Sequence, residues 1–388
     1  MSALTKKRFA EEVPGFLAAP LNKSTRRLFV AATRMNDGKT TVSLGLFGAL
    51  RSMGLNVGYI KPVAQRIVEM EGEQVDEDSR LLNLIYDVKL PVAAMSPVAI
   101  DPTFTRRYLD TPEELRPQVI DRICRAFDRA AFQRDIVIIE GSGHAGVGSV
   151  FDCSNASNAR LLGAKVLLVA SGGIGKPIDE LAMNKALFEK MGVECVGAVL
   201  NKVLPDKLEF IREYGERGLA RLGLPLLGVL PMQPKLAQSN LSQIVEEIDG
   251  HWLHRPEPLL SERITRVIIG AMSDRSIVDY LCPGTLVIVP GDREDLLFAI
   301  IAASGIAGHP MVSGILLTNN LRPHPRILEM LRHTAIPVVG TDAESFSVTT
   351  KINNMTVKTQ PGDRDKIPVI ENLILENVDL PALLAALD

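Results

Sequence analysis

The sequence predicts an α/β protein in which a parallel sheet flanked by helices is followed by a second, smaller α/β domain. Over about the first 230 residues, short and nearly continuous apolar runs alternate with stretches that have apolar residues at helical spacing. Such runs are typical of strands buried on both faces in parallel sheets covered by helices. The alternation breaks after residue 234 and resumes after residue 260, and a chain of 388 residues exceeds what one core usually organises.

The first domain is predicted to span residues 26–234, after an N-terminal extension of residues 1–25. Its strands are predicted at 27–32, 57–60, 135–139, 165–170, 195–200 and 226–231. A helix is expected after the first strand and its polar loop, and further helices at 112–132 and 177–191. Residues 235–260, with His251, Trp252, His254 and two prolines, are predicted to be a linker. Strand and helix patterns then predict the second domain at residues 261–388.

Charge and composition exclude several classes of partner. The formal net charge is −3, from 43 basic and 46 acidic residues, so no strong field attracts nucleic acid or an anionic membrane. The apolar runs are of strand length and too short to span a bilayer. The four cysteines show no CxxC spacing and are expected to be reduced thiols, and the N-terminus shows no secretory pattern. We therefore expect a cytoplasmic protein without nucleic-acid or membrane partners.

A phosphate-binding loop is predicted between the first strand and the first helix. The candidate nucleotide-binding residues are Asn36, Asp37, Gly38, Lys39, Thr40 and Thr41. A loop of this kind needs a glycine for close backbone approach, a lysine for the terminal phosphates and a hydroxyl residue for Mg²⁺ at a helix N-terminus. Gly38, Lys39 and Thr40 meet these needs, so ATP and Mg²⁺ are the expected cofactors. Thr33 stands where the usual motif has its first glycine.

Two further motifs follow the loop in the same domain, YIKPVAQ at 59–65 and VIIEG at 137–141. With the phosphate loop they resemble the dethiobiotin synthetase-like P-loop ATPases, and more closely the N-terminal part of long bacterial phosphotransacetylases. The last third resembles the DRTGG domain of those proteins through residues 290–293 and 317–321. Asn319 and Asn320 stand in place of the family's Gly-Gly. No counterpart of the acetyltransferase domain is found in these 388 residues, so acetyl transfer by this chain alone is not expected.

The resemblance implies roles for residues outside the loop. Lys61 is expected at the reacting centre together with Lys39, and it lies just after a strand that is expected to run beside the phosphate-loop strand. Glu140, at the carboxyl end of a strand, is the candidate for a second Mg²⁺ contact besides Thr40. Within the acidic run at 76–78, Asp78 fits the family's further metal-binding position. Asn201 is expected to contact the adenine base, since an amide pairs with its donor and acceptor edge.

The sequence leaves two functions open. One is a nucleotide-dependent regulator or sensor, in which the second domain senses a ligand or mediates assembly. The other is an ATP-dependent ligase or synthetase that activates a carboxylate or carbamate as a mixed phosphoric anhydride. An ATPase or ligase-like activity on a small acidic substrate or effector is the enzymatic expectation, and relatives of the first domain imply a homodimer.

Other candidate residues also remain open at this stage. His144 lies near Glu140 as a possible acid or base, and the glycine-rich residues 172–175 suit either the site or a dimer contact. In the second domain, Asp292 and Arg293 suit either a ligand-binding turn or a structural ion pair.

Overall fold

The computed structural model describes residues 15–70, 72–257, 263–307 and 311–388. Among these, two compact units are present. The first runs to Gln233 and resumes at Arg364–Asp388, and the second is Pro234–Asp363. Residues 1–14 of the predicted N-terminal extension lie outside the described residues. No helix in the described part of the chain is both long and apolar enough to span a membrane.

The first unit contains a parallel sheet of six strands. The strands of this unit are β1 (Arg26–Ala32), β2 (Val57–Ile60), β3 (Val63–Ala64), β4 (Ile67–Met70), β5 (Glu73–Asp76), β6 (Val98–Ala99), β7 (Ile136–Glu140), β8 (Lys165–Ser171), β9 (Cys195–Val203) and β10 (Leu226–Pro231). The order in the large sheet is β10-β9-β8-β1-β7-β2, with every pair parallel. The strand before Lys61 was expected beside β1, but β7 lies between β2 and β1, so that expectation was wrong.

Helices cover both faces of this sheet because the central strands are apolar on both sides. The helices between the strands are α1 (Lys39–Ser52), α2 (Glu77–Tyr86), α3 (Val92–Met95), α4 (Phe104–Asp110), α5 (Pro112–Ala131), α6 (Asn155–Leu161), α7 (Lys176–Lys190) and α8 (Leu208–Ala220). All five residues of β7 are buried, as strands covered on two faces require. Each strand thus delivers its following loop to one edge of the sheet, where α/β proteins bind ligands.

The second unit has its own sheet and core. Its elements are α9 (Pro234–Ala237), α10 (Leu241–Glu247), β11 (His251–His254), β12 (Arg266–Ile269), α11 (Asp274–Ile277), β13 (Thr285–Pro290), α12 (Glu294–Ala307), β14 (Gly314–Thr318), α13 (Pro325–Arg332), β15 (Val338–Gly340) and α14 (Ser345–Asn354). The strand order is β11-β15-β14-β13-β12, and only β11 is antiparallel to its neighbour.

The predicted linker is part of this second unit. Asn240 and Gln243 form a capping box at the start of α10, which is a strong local signal for a helix N-terminus. Leu241, Ile244 and Ile248 are buried in a core cluster with residues of β13, β14 and β15. The antiparallel edge strand β11 follows. The structure therefore differs from the predicted linker over 235–260 in the described residues of that range. The sequence did not reveal these elements, because a short helix and a short edge strand lack a long periodic pattern.

The chain end belongs to the first unit rather than to the second domain predicted over 261–388. It forms α15 (Ile367–Asn377) and α16 (Leu380–Leu387). Asp379 donates its backbone N–H to the carbonyl of Leu227 in β10, at 2.8 Å. Helix α15 packs on α1, where a Cβ on Gly45 would lie 2.4 Å from Ile374 Cγ1 and 2.8 Å from the Ile370 carbonyl oxygen. Apolar periodicity predicts such helices but does not reveal which sheet they cover.

This close approach predicts that replacing Gly45 by alanine destabilises the protein. Replacing a helical glycine by alanine ordinarily stabilises a protein by about 0.5–1 kcal/mol. Gly45→Ala is expected instead to lower the free energy of unfolding by about 1–3 kcal/mol, because α1 and α15 must move apart. Urea unfolding measures the change.

The matched control for Gly45→Ala is Gly305→Ala in α12. A Cβ at Gly305 meets nothing within 4 Å. This variant is therefore expected to leave the unfolding free energy of the second unit unchanged or to raise it. A stabilised Gly45→Ala protein contradicts the packing of α15 on α1.

Candidate nucleotide-binding site

The loop between β1 and α1 has the geometry that a phosphate site needs at a helix N-terminus. Gly38 adopts the left-handed conformation, with φ of 93°, directly before the first helical residue Lys39. A Cβ at Gly38 would lie 2.1 Å from the Asn201 amide nitrogen, so both the backbone angle and the space require glycine. Helix α1 therefore starts with Lys39, Thr40 and Thr41, and its first N–H groups face the loop.

A buried carboxylate holds this loop together from within. Asp37 is 3% exposed and accepts hydrogen bonds from Thr33 Oγ1 at 2.7 Å, the Arg34 N–H at 2.9 Å and Ser171 Oγ at 2.6 Å. The first two donors belong to the loop itself, and Ser171 ends the neighbouring strand β8. Thr33 thus stands where the usual motif has its first glycine, and its hydroxyl donates a hydrogen bond to Asp37.

Arg34 extends the same cluster towards α7. Its guanidinium pairs with Glu180 at 3.0 Å and lies 3.5 Å from Asp37. Glu180 sits on α7, which follows β8. Sequence reasoning did not single out Arg34, Ser171 or Glu180, because their roles depend on β8 lying beside β1.

Asn201 lies next to the loop, at the end region of β9. Its side-chain nitrogen donates to the Asp37 carbonyl at 2.9 Å, and its side-chain oxygen accepts from the Lys202 N–H at 2.9 Å. Lys202 reaches the Asn36 carbonyl at 2.6 Å. The Asn201 amide therefore braces the loop in this structure, and its contact with a base stays a prediction.

Thr40 and Glu140 are neighbours across the sheet edge. Thr40 Oγ1 donates to Glu140 Oε1 at 2.9 Å, and the hydroxyl of Tyr59 donates to Glu140 Oε2 at 3.2 Å. Burial raises the pKa of the Glu140 carboxyl and Asp78 raises it further, against the lowering effect of the ammonium groups of Lys61 and Lys39. Tyr59 belongs to the YIKPVAQ motif but had no predicted role. Burial, followed by the nearby carboxylates, also raises the pKa of the Tyr59 hydroxyl. The hydroxyl therefore stays protonated and donates the hydrogen bond.

Lys61 lies buried between two carboxylates. Its ammonium is 2.8 Å from Asp76 Oδ1 and 2.5 Å from Asp78 Oδ2. Burial alone would lower the pKa of Lys61, but Asp78 and Asp76 outweigh it and raise the pKa. Asp76 also caps α2 by accepting the Asp78 N–H at 2.9 Å. The cap and the hairpin of β4 with β5 bring both carboxylates to Lys61.

Asp76 is the acidic residue that the sequence prediction passed over in favour of Asp78. It is fully buried, and its second oxygen makes no hydrogen bond within the described residues. Burial raises its pKa, and Lys61 opposes that effect. A signal was present in the sequence, since Asp followed by a helical pattern indicates an N-cap. An open acceptor in a buried charged cluster is a position that a cation or a donor group can fill.

The predicted metal ligands Thr40, Asp78 and Glu140 lie in the same part of the first unit but do not form a complete metal-binding site. No group of three or more His, Cys, Asp or Glu side chains in the described ranges is arranged to hold a metal ion. Thr40 and Glu140 are adjacent, whereas the Asp78 carboxylate is engaged by Lys61. This donor set fits Mg²⁺, which takes one or two protein oxygens and fills its other positions with water and phosphate oxygens.

Other open candidates find structural roles. His144 is exposed, and its Nδ1 accepts the Gly146 N–H at 3.2 Å. Arg293 pairs with Asp295 at 2.8 Å and donates to the carbonyls of Gly270 and Met272. These contacts match the structural-ion-pair alternative for Arg293, with Asp295 rather than Asp292 as the partner.

Asn319 and Asn320 both adopt left-handed backbone angles, with φ of 62° and 52°. Asparagine is among the few residues that tolerate this region. The two asparagines therefore adopt backbone angles that glycine also permits.

The fold and the site define a P-loop-type α/β domain joined to a second, smaller α/β domain. The family model described as AAA domain, AAA_26, matches residues 26–240, and the chain belongs to this family. The model described as DRTGG domain matches residues 243–355. Both findings agree with the resemblance stated from the sequence motifs.

Relatives named phosphate acetyltransferase match most of this chain. The protein of Pseudomonas putida is 27% identical over 363 residues, covering 90% of this chain and 50% of the relative. That of Synechocystis sp. is 24% identical, covering 93% of this chain and 51% of the relative. The chain thus spans about half the length of the curated relatives it matches.

Similar solved structures are more distant. The cell division ATPase MinD of Pyrococcus furiosus has a TM-score of 0.34 at 18% identity, over 54% of this chain and 85% of MinD. The CBS and DRTGG domains of Clostridium perfringens pyrophosphatase, complexed with the activator diadenosine tetraphosphate, have a TM-score of 0.27 at 19% identity. That match covers 37% of this chain and 61% of the other.

The buried charges around Lys61 predict a large and pH-dependent loss of stability in Lys61→Met. Removing the ammonium leaves two buried carboxylates without a counter-charge, which is expected to cost about 3–5 kcal/mol of unfolding free energy at pH 8. In the variant the pKa values of Asp76 and Asp78 rise, so both take up protons as the pH falls. The deficit relative to wild type should therefore shrink at pH 5.

Lys176→Met is the control, since that lysine is 72% exposed in its pair with Glu180. Its effect should stay within about 0.5 kcal/mol at both pH values. Chemical denaturation at pH 5 and pH 8 measures both variants. An equal deficit of Lys61→Met at the two pH values contradicts the buried-cluster assignment.

Proposed function

We propose that the first unit binds Mg²⁺-ATP and that the chain is a nucleotide-dependent regulator or sensor. The observation that carries this proposal is the meeting of the Gly38 turn, the α1 N-terminus and the Thr40–Glu140 pair at the carboxyl edge of one parallel sheet. Membership of the AAA_26 family supports nucleotide binding. The DRTGG match supports a regulatory role, because a DRTGG-containing relative is complexed with a nucleotide activator.

Several residues of the loop have distinct tasks in this proposal. The N–H groups at the start of α1 and the ammonium of Lys39 bind the phosphates, with the help of the positive end of the helix dipole. Thr40 and Glu140 would hold Mg²⁺, which neutralises phosphate charge when bound. Asp37 and Asn201 keep the loop in shape. Phosphate binding needs no rearrangement of Gly38, whose left-handed turn is already formed.

A second candidate function is an ATP-dependent ligase or synthetase, and one observation favours it. Lys61, Asp76 and Asp78 form a buried charged cluster that electrostatically couples to Glu140. Binding of nucleotide phosphates does not by itself require this cluster. In this alternative Lys61 moves from its carboxylates to a phosphoryl group or an acidic substrate and stabilises the charge that develops there. Such clusters of perturbed groups are typical of functional sites.

Lys39→Ala tests the phosphate loop. Loss of a charge-assisted contact with the phosphates is expected to weaken ATP binding about 10- to 100-fold, while circular dichroism shows an unchanged fold. Isothermal titration with ATP and Mg²⁺ measures the affinity. Lys185→Ala, which removes a lysine paired with Glu189 on α7, should bind as wild type does. Unchanged affinity of Lys39→Ala removes the basis of the proposal.

Release of ADP and phosphate from Mg²⁺-ATP separates the two functions. The purified protein is assayed alone, and then with 7,8-diaminopelargonate plus bicarbonate, with acetate, with acetyl phosphate or with coenzyme A. The regulator predicts ATP binding with turnover that none of these compounds stimulates. Stimulation by one compound that is lost in Lys61→Gln, with ATP binding retained, assigns the ligase instead and identifies its acceptor class.

A further inference from the structure

A cleft of about 700 Å³ lies in the first unit at the edge of the sheet opposite the phosphate loop. Arg26 and Lys165 on its wall are the first residues of β1 and β8, and Asp135 directly precedes β7. The seven residues of β1 separate this edge from the loop by about 20 Å. The volume is in the range of pockets that hold small ligands. Neither proposed function uses this cleft.

The wall of this cleft carries an excess of positive charge. It includes five basic side chains and two carboxylates. One carboxylate, Asp388, pairs with Arg26 at 2.6 Å, and the other, Asp135, accepts the Asn56 N–H at 2.7 Å. In the described part of the chain, no carboxylate lies within ion-pair distance of Lys23, Arg27 or Arg134. The three charges therefore have no partner charge in contact with them.

Two of these cations are half-buried and held by neutral acceptors. Arg134 donates to the Val88 carbonyl at 3.0 Å and to the Asn56 side chain. Arg27 donates to the carbonyl of Leu162 at 2.5 Å and to that of Asn22. Burial lowers the pKa of both guanidinium groups. At Arg27 the carboxylate of Asp128 opposes this effect without cancelling it, and at Arg134 the neighbouring Arg51 lowers the pKa further, so additional counter-charge would stabilise both charged forms. An anion in the cleft would supply that counter-charge.

Capping of helix ends explains part of this arrangement. The Leu162 carbonyl follows α6, and Lys165 donates to the Ala386 carbonyl near the end of α16 at 2.7 Å. Basic side chains stabilise such carbonyls and the negative end of a helix dipole. Capping does not account for Lys23, which donates to no helix end in the described residues, or for the open volume that the cations surround. A bound anion accounts for both.

We propose that this cleft binds a small multivalent anion through Lys23, Arg27 and Arg134. Guanidinium groups recognise phosphate and carboxylate oxygens alike, because both present oxygens that match the planar fork of donors. A phosphorylated metabolite and a polycarboxylate therefore share the relevant chemistry. The site is separate from the phosphate loop and does not depend on nucleotide binding there.

Isothermal titration of the full chain with pyrophosphate and, separately, with citrate tests this proposal at low ionic strength. Submillimolar binding of at least one anion is expected, with weakening as salt is raised. Pyrophosphate can also bind at the phosphate loop, so the cleft is measured in Lys39→Ala, where the binding that remains, and citrate binding within about twofold of wild type, report the cleft alone. The double variant Lys23→Gln/Arg134→Gln should bind about tenfold or more weakly, as expected for loss of charge-assisted contacts. Binding of one anion alone identifies the class of ligand.

Two controls keep the result decisive. Arg217→Gln removes an exposed cation paired with Glu213 on α8 and should leave anion binding unchanged. Lys23→Glu alters the charge at the cleft and breaks no hydrogen bond in the described residues, so it tests the site if loss of Arg134 impairs folding. Absence of binding by wild type at 10 mM of either anion, or wild-type affinity in Lys23→Glu, overturns the proposal.

Discussion

The pairing of β1 with β7 on one side and β8 on the other is the constraint on which the candidate site depends. In this register Val30 lies opposite Glu140, so β7 ends beside the turn that follows β1. Strand β8 ends with Ser171 on the other flank. The loop thus receives one acidic and one hydroxyl side chain from strands that are distant in sequence. Parallel strands can do this because all their carboxyl ends meet at the same edge.

Charge burial at this edge has a cost that the surrounding residues offset. Lys61 is surrounded by the carboxylates of Asp76 and Asp78 and also interacts electrostatically with Glu140. Buried ion pairs are rarely more stable than apolar residues of the same size. A gain in stability therefore does not by itself explain four ionisable groups in this core, and the second candidate function proposed above would account for them. The open oxygen of Asp76 marks the place where the cluster is least satisfied.

Helix α1 is held at its N-terminus and along its buried face. Its N-terminus is the phosphate loop, and its buried face packs on α15 through Gly45 and Gly48. Glu371 of α15 accepts a hydrogen bond from Tyr86 of α2 at 2.7 Å, and burial and this contact raise the pKa of the tyrosine. Helix α15 is therefore packed directly against the helix that carries Lys39 and Thr40.

The sequence by itself determined the strand and helix alternation of the first unit, the loop at 33–41 and the identity of Lys61 and Glu140 as residues at strand ends. These features are local, since they follow from apolar periodicity and from short motifs. Tertiary structure alone decided the strand order, the burial of Asp76 against Lys61, the bracing of the loop by Asn201, and the return of α15 and α16 to the first sheet. Each of these depends on residues far apart in the chain, and local patterns do not specify which distant surface an apolar face will cover.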